Sequence, residues 1–312
     1  MSTITGRGRR RRRALLWIVV LALLVGGGSQ VGAEEFAAEA PSEPGAFSER
    51  MKQEEKVEGN PFAITTYKRN YLIPFSYNAS ANQRTTSGAG DSVDRAEVEF
   101  QVSLQFPLVD NLWEKNGRLF LAYTNHSWWQ AYNKDASSPF RETNHEPEVM
   151  LEIRSGWHIL GFDVSSFTFG LVHQSNGRSG TLSRSWNRVQ GYLFLERGPL
   201  VLALCPWYRI PEEAKTGPDD TSGDDNPGME KYLGYGELIA VYKLGEQTLG
   251  VVLRNNLRSE GNKGAIELDW SFPLAGRFKG YVKYFNGYGE SLVDYNSSSN
   301  RIGVGLLLSD LL

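Results

Sequence analysis

The sequence predicts a transmembrane antiparallel β-barrel of about twelve strands, on three observations. Segments of about ten residues alternate apolar and polar side chains. The connections between them alternate short and long. No window is apolar for the eighteen or so residues that a spanning helix requires.

The clearest alternation runs from Ala96 to Pro107. Val98, Phe100, Val102, Leu104 and Phe106 fall on one face, with Glu97, Glu99, Gln101, Ser103 and Gln105 on the other. Similar segments precede and follow it: Tyr67 to Ser76, Gly117 to Trp129, Glu146 to Arg154, Ser165 to Ser175 and Trp186 to Glu196. Six more occupy the second half: Pro199 to Arg209, Lys231 to Lys243, Gln247 to Leu257, Asn262 to Ser271, Arg277 to Gly287 and Asn300 to Ser309. Short turns such as Arg197-Gly198 and Gly245-Glu246 alternate with long polar loops such as Pro211 to Glu230 and Tyr288 to Ser299. Trp128, Trp129, Trp186, Trp207 and Tyr208 stand at segment ends, where aromatic girdles would meet the bilayer interfaces or where a core would hold them. A mean hydropathy of -0.38 is compatible with a barrel, because only alternate residues of each strand meet lipid. A soluble β-sandwich is the competing architecture.

The N-terminus reads as an export signal. Arg7 and Arg9 to Arg13 precede the apolar stretch Ala14 to Val25, and Val31-Gly32-Ala33 supplies small residues for cleavage. Twelve apolar residues in a helix reach only about 18 Å, against a hydrocarbon core of roughly 30 Å. Residues 1–33 are thus expected to be removed as a signal peptide, residues 34–60 to form a flexible periplasmic extension and residues 61–312 to form the barrel. Cleavage leaves 27 Lys+Arg against 36 Asp+Glu, a net charge of -9, which argues against a nucleic-acid partner. The single cysteine, Cys205, lies in an apolar run and reads as a packed thiol. No Cys/His spacing makes a zinc site.

Chemistry is expected at the end of the segment Ser165 to Ser175. Counting by twos from Phe167, Phe169 and Leu171 brings His173 and Ser175 onto the apolar, lipid-facing side. On the next segment Asn187 shares parity with Val189, Leu193 and Leu195, and a hairpin would bring it near His173. Polar groups facing lipid are costly unless they serve one another, so this grouping is a catalytic candidate. A serine hydroxyl needs a base, histidine is one near neutral pH, and a third group fixes the imidazole tautomer.

The run His173-Gln174-Ser175-Asn176-Gly177-Arg178-Ser179, continuing through Ser183-Arg184-Ser185-Trp186-Asn187-Arg188, closely resembles the active-site signature of the outer membrane phospholipase A family. Further matches include Ser127-Trp128-Trp129-Gln130, Ser137-Ser138-Pro139-Phe140-Arg141-Glu142-Thr143-Asn144, Asp224-Asp225-Asn226-Pro227 and Gly287-Tyr288-Gly289-Glu290-Ser291-Leu292. The resemblance covers roughly residues 60 to 312. It implies a twelve-stranded barrel in the outer membrane of a Gram-negative bacterium, with Ser175 as nucleophile, His173 as base and Asn187 as orienting residue. The implied reaction is hydrolysis of the acyl esters of phospholipids and lysophospholipids, with A1 and A2 specificity. The resemblance further implies an oxyanion hole from the backbone amides of Ser175 and Gly177, and a homodimer held by Ca2+. The calcium ligands fall on the carbonyl of Arg178, the side chain of Ser183 and the carbonyl of Ser137 from the second subunit. Gly180 stands where many relatives carry an acid, and Asn125 where they carry a glutamine. The alternative is a barrel without enzymatic activity, a porin or a structural protein.

Overall fold

A computed structural model describes residues 45–57, 60, 62–85, 92–217, 220, 223–276 and 278–312. The expected signal peptide, residues 1–33, lies outside them. Among the described residues the chain forms one antiparallel sheet of twelve long strands, joined by a two-residue strand at Thr65–Thr66. The strands are β1 Asn70–Asn78, β2 Ala96–Asn111, β3 Gly117–Trp129, β4 Phe140–Ile159, β5 Phe162–Ser175 and β6 Ser185–Arg197. They continue as β7 Leu200–Arg209, β8 Gly236–Leu244, β9 Gln247–Asn255, β10 Gly264–Ala275, β11 Phe278–Tyr288 and β12 Ser298–Ser309. Each pairs with its sequence neighbour, and β12 returns to β1 through pairs such as Arg301 with Asn78 and Leu307 with Tyr71. The sheet therefore closes on itself, which excludes the sandwich.

The twelve expected segments all appear, with shifted ends. β4 runs for 20 residues rather than over Glu146 to Arg154 alone. The segment expected from Lys231 begins as strand only at Gly236, because Met229–Lys231 is a 3-10 turn.

Closure sorts the side chains by parity. On β5, Leu171 is 58% exposed on the lipid side while Val172 beside it is 2% exposed in the lumen. The luminal sides of β2, β3, β4, β11 and β12 carry charges that neutralise one another. Glu97 accepts from Arg141 and Arg301 at 2.6 Å each, Arg301 also donates to Glu290 at 2.7 Å, and Arg141 reaches Asp294 at 2.7 Å. Lower down, Lys283 pairs with Glu99 at 2.6 Å, and Glu146 receives Lys68 at 2.5 Å and Arg188 at 2.7 Å. Parity also decides the aromatic residues. Trp129 and Tyr208 follow the outward face, whereas Trp128 and Trp186 are buried inside, where the guanidinium of Arg188 lies 4.3 Å from the Trp186 ring. Trp207 packs against the same inner cluster as Trp186, and Cys205 is buried as expected of a packed thiol.

The segment expected to be a flexible extension carries a helix, α1, over Ala46–Glu55. It sits at the short-turn end of the barrel, with Phe47 stacked on Phe194 at 4.5 Å and Met51 in one cluster with Val201 and Leu312. Gly45 provides no side-chain cap. Glu196 of β6 takes over that role, accepting from the amides of Phe47 and Ser48 at 3.1 Å each and placing its charge at the positive end of the helix. Arg50 ties the helix to the chain terminus through Leu311 O at 2.8 Å, and Arg118 reaches Glu54 at 2.7 Å.

Two outcomes follow from this lumen. Arg301→Met leaves the carboxylates of Glu97 and Glu290 short of a buried partner and should destabilise the barrel by about 3–5 kcal/mol, read as a lower denaturant midpoint in detergent micelles. Glu196→Ala removes the cap of α1 and should weaken its docking by about 1 kcal/mol, read as faster amide exchange at Phe47 and Ser48 with the strands unchanged.

Candidate active site

The site is built on the hairpin of β5 and β6. Their register sets His173 directly opposite Asn187 and Ser175 opposite Ser185. Residues so opposed have Cβ atoms about 5 Å apart, within reach of an imidazole and an amide. His173 Nδ1 and Asn187 Oδ1 are indeed 2.9 Å apart. The amide oxygen is an acceptor, so Nδ1 carries a proton, and in the neutral imidazole the free lone pair is then on Nε2. Ser175 lies two residues farther along the same face, half-buried, while His173 is exposed on the outside of the barrel. Among the described residues no hydrogen bond joins the Ser175 hydroxyl to the imidazole, and such catalytic contacts commonly tighten only around substrate.

Asn176 organises the loop that follows. Its side-chain amide donates to both carboxylate oxygens of Glu142 at 3.2 Å and to Leu182 O at 2.9 Å. Its side-chain oxygen accepts from the amides of Arg178 at 3.2 Å and Arg184 at 3.0 Å. The chain reverses between these anchors at Gly177, whose φ of +63° is a conformation that side chains with a Cβ rarely adopt. Arg178 then reaches across to Thr85 O at 3.2 Å and Phe140 O at 3.3 Å, binding the loop to the start of β4.

Of the expected calcium ligands, Arg178 and Ser183 share this loop, and Ser137 sits in the turn before β4, with its amide donating to Lys134 O at 3.1 Å. The Ser183 hydroxyl donates to Asp225 at 2.9 Å, which leaves its oxygen lone pairs free. Asp225 also accepts from Ser185 at 3.0 Å and pairs with Lys215. Partial burial works against its ionisation, but the hydrogen bonds from Lys215, Ser183 and Ser185 and the charge of Lys215 hold it below the usual carboxylate range. Backbone carbonyls and a hydroxyl are hard oxygen donors, the type that Ca2+ takes. Among the described residues no group of three or more His, Cys, Asp or Glu forms an alternative metal centre.

Beside His173 and Asn187 an open groove of about 530 Å³ runs along the outer wall, with Leu121, Tyr123, Val149, Leu171 and Ile210 in its lining. Its apolar walls suit an acyl chain. Two polar neighbours of the site are absent from the sequence-based expectation. His145 pairs in register with Ser175 and lies 2.7 Å from the Tyr123 hydroxyl. Its parity is legible, since Glu146 and Glu148 point inward and His145 must therefore point out. Glu212, just beyond β7, accepts from Asn187 Nδ2 at 3.0 Å, and no periodicity in its loop announces that contact.

The fold and this arrangement have known counterparts. A family model described as Phospholipase A1 matches residues 47–308. The phospholipase A1 of Escherichia coli strain K12 is 36% identical over 275 residues, 88% of this chain and 90% of that protein. The Klebsiella pneumoniae phospholipase A1 is 37% identical, covering 81% of this chain and 84% of its own length. The solved outer membrane phospholipase A of Escherichia coli superposes with a TM-score of 0.74 at 36% identity, over 82% of this chain and 95% of that one. A calcium-bound dimer of the Salmonella typhi outer membrane phospholipase gives 0.75 at 37% identity, over 83% and 97%. A closed twelve-stranded barrel, matched in sequence and in backbone over most of its length, places this chain in the phospholipase A1 family, as a phospholipase of the Gram-negative outer membrane.

Proposed function

We propose that the chain is a calcium-dependent phospholipase that hydrolyses acyl esters of phospholipids and lysophospholipids, with both A1 and A2 specificity, through Ser175, His173 and Asn187. The observation that carries this reading is the 2.9 Å contact between His173 Nδ1 and Asn187 Oδ1 on the lipid-facing wall, with Ser175 two residues along the same face. A porin has no use for three polar groups there. An active-site asparagine is also a feature of the Escherichia coli relative, which has been solved as an asparagine-to-alanine active-site mutant.

The reaction follows from what each group can do. His173 Nε2 removes the hydroxyl proton of Ser175 as Oγ attacks the ester carbonyl. Asn187 keeps Nδ1–H directed at its own oxygen and so preserves the basic nitrogen. The backbone amides of Ser175 and Gly177 are the donors toward the developing oxyanion. When the tetrahedral adduct collapses, the imidazolium returns its proton to the departing lysolipid alcohol. Water deprotonated by His173 then attacks the acyl ester on Ser175 and releases fatty acid. Leu171, Val149 and Ile210 line the groove that would hold the acyl chain and keep it dry.

Calcium would be held by the carbonyl of Arg178, the hydroxyl of Ser183 and the carbonyl of Ser137 from a second copy, and would lend positive charge near the ester oxygen. The dimer has a geometric rationale. One barrel wall covers a substrate on one side only, and a second copy closes the cleft while supplying a ligand. The solved Salmonella typhi relative is a calcium-bound dimer.

Ser175→Ala and His173→Ala should each lower turnover of mixed phospholipid micelles by about 10³-fold or more, with heat-modifiable gel mobility intact. Asn187→Ala should cost less, about 10- to 100-fold, because it orients a neutral imidazole without adding charge. Full activity of the Ser175 variant would remove the assignment. Chelation of calcium should lower cross-linked dimer and turnover together, and Ser183→Ala should shift the calcium response to higher concentration without unfolding. A chelated monomer with full activity would contradict the dimer mechanism while leaving the three catalytic residues in place.

A further inference from the structure

An asparagine beside a histidine is an ambiguous device. Its two ends are nearly the same shape, and only one selects the productive imidazole. With Oδ1 toward His173 the ring keeps its proton on Nδ1, and Nε2 is the base. With the amide turned over, the NH2 group would face Nδ1, demand a lone pair there, and move the proton to Nε2. Nothing in the hairpin itself breaks this tie.

We infer that Glu212 is a positioning residue that breaks it, holding the Asn187 amide in one orientation and thereby setting the tautomer of His173. The inference rests on the Ser175, His173 and Asn187 reading given above. Asn187 Nδ2 donates to Glu212 Oε1 at 3.0 Å, while Asn187 Oδ1 is 2.9 Å from His173 Nδ1. A carboxylate accepts and does not donate. Turning the amide would therefore set oxygen against oxygen on the Glu212 side and donor against donor on the His173 side. The chain Glu212, Asn187, His173 has one consistent direction of hydrogen bonding, and it ends in a free lone pair on Nε2.

The local fold delivers the carboxylate to that place. Arg188 pairs with Arg209 at the end of β7, and the amide of Ile210 still donates to Asn187 O at 2.8 Å. Pro211 follows, favouring extended backbone at Ile210, so Glu212 emerges over the side chain of Asn187. From the other side Arg209 Nη2 lies 3.8 Å from Glu212 Oε2. The loop is fastened beyond it by Asp224, whose amide donates to Glu213 O at 2.7 Å and whose carboxylate receives Arg209 at 2.5 Å. Glu212 stands outside the strands and touches neither the nucleophile nor the groove, so it acts only through Asn187.

The test uses the full mature chain in calcium-containing detergent micelles with phospholipid substrate. Glu212→Ala should lower kcat about tenfold with KM within about twofold. Glu212→Gln, which preserves shape and can still offer an oxygen, should retain more activity than Glu212→Ala. In an Asn187→Ala background Glu212→Ala should have no further effect, because its target is gone. The 15N spectrum of the four histidines gives a reading independent of turnover. His173, assigned by its loss in His173→Ala, should be the Nδ1–H tautomer in the unaltered protein and a mixture in Glu212→Ala. Unchanged kcat and tautomer in Glu212→Ala, or a loss that simply adds to that of Asn187→Ala, would overturn the inference. If instead Ser175→Ala and His173→Ala keep full activity, it is the catalytic assignment that falls, and the two failures are told apart. Should Glu212→Ala not fold, Glu212→Leu, which keeps most of the volume but offers no acceptor to Asn187 Nδ2, takes its place, and an unchanged His173 tautomer and kcat in that variant would overturn the inference.

Discussion

The constraint on which the rest depends is that hydrocarbon offers no hydrogen-bond partner. A backbone amide or carbonyl left unpaired there costs several kcal/mol, so a sheet crossing the membrane must close. The pairing of β12 with β1 meets that demand. Closure then leaves each strand with one face to lipid and one to the lumen, and every later feature is a consequence of which face a residue falls on. The luminal face accepts charges because they meet one another, as Glu97, Arg141, Arg301 and Glu290 do. The outer face is apolar except where polar groups form a unit.

That exception has a structural logic. A lipase working on membrane lipid needs its nucleophile where the acyl ester is, at the outer wall near the interface. Placing a histidine there exposes it to the bilayer, and its contact with Asn187 answers part of its hydrogen-bonding need within the protein. The hairpin register puts the two directly opposite each other, so a strong secondary-structure constraint does the aiming. The less regular parts of the site, around Gly177, Arg178 and Ser183, are fastened by Asn176 and Glu142 from inside the wall. The site thus rests on a rigid sheet on one side and a cross-braced loop on the other.

The lumen does a different task. Its ion pairs include the network of Glu97, Arg141, Arg301, Glu290 and Asp294 at the long-loop end, while the helix Ala46–Glu55 occupies the short-turn end, with Glu196 joining strand and helix.

Alternation by twos is enough to place His173, Ser175 and Asn187 on one outward face, because side-chain direction in a strand is a local property of the backbone. The same rule determines the strand count, and it applies equally to His145. Tertiary structure decided what no local rule reaches. Trp186 is buried against Met229, Leu233, Leu292 and Tyr295, partners from distant loops that only the closed barrel brings together, so its place at a segment end did not by itself tell a girdle from a core. The segment from Ala46 to Glu55 became a docked helix because its partners, Glu196, Phe194 and Arg118, lie far away in sequence. Glu212 came to Asn187 across 25 residues, by a path fixed through the end of β7 and its bond to Asn187 O, and a contact made by an irregular loop leaves no period in the sequence to find.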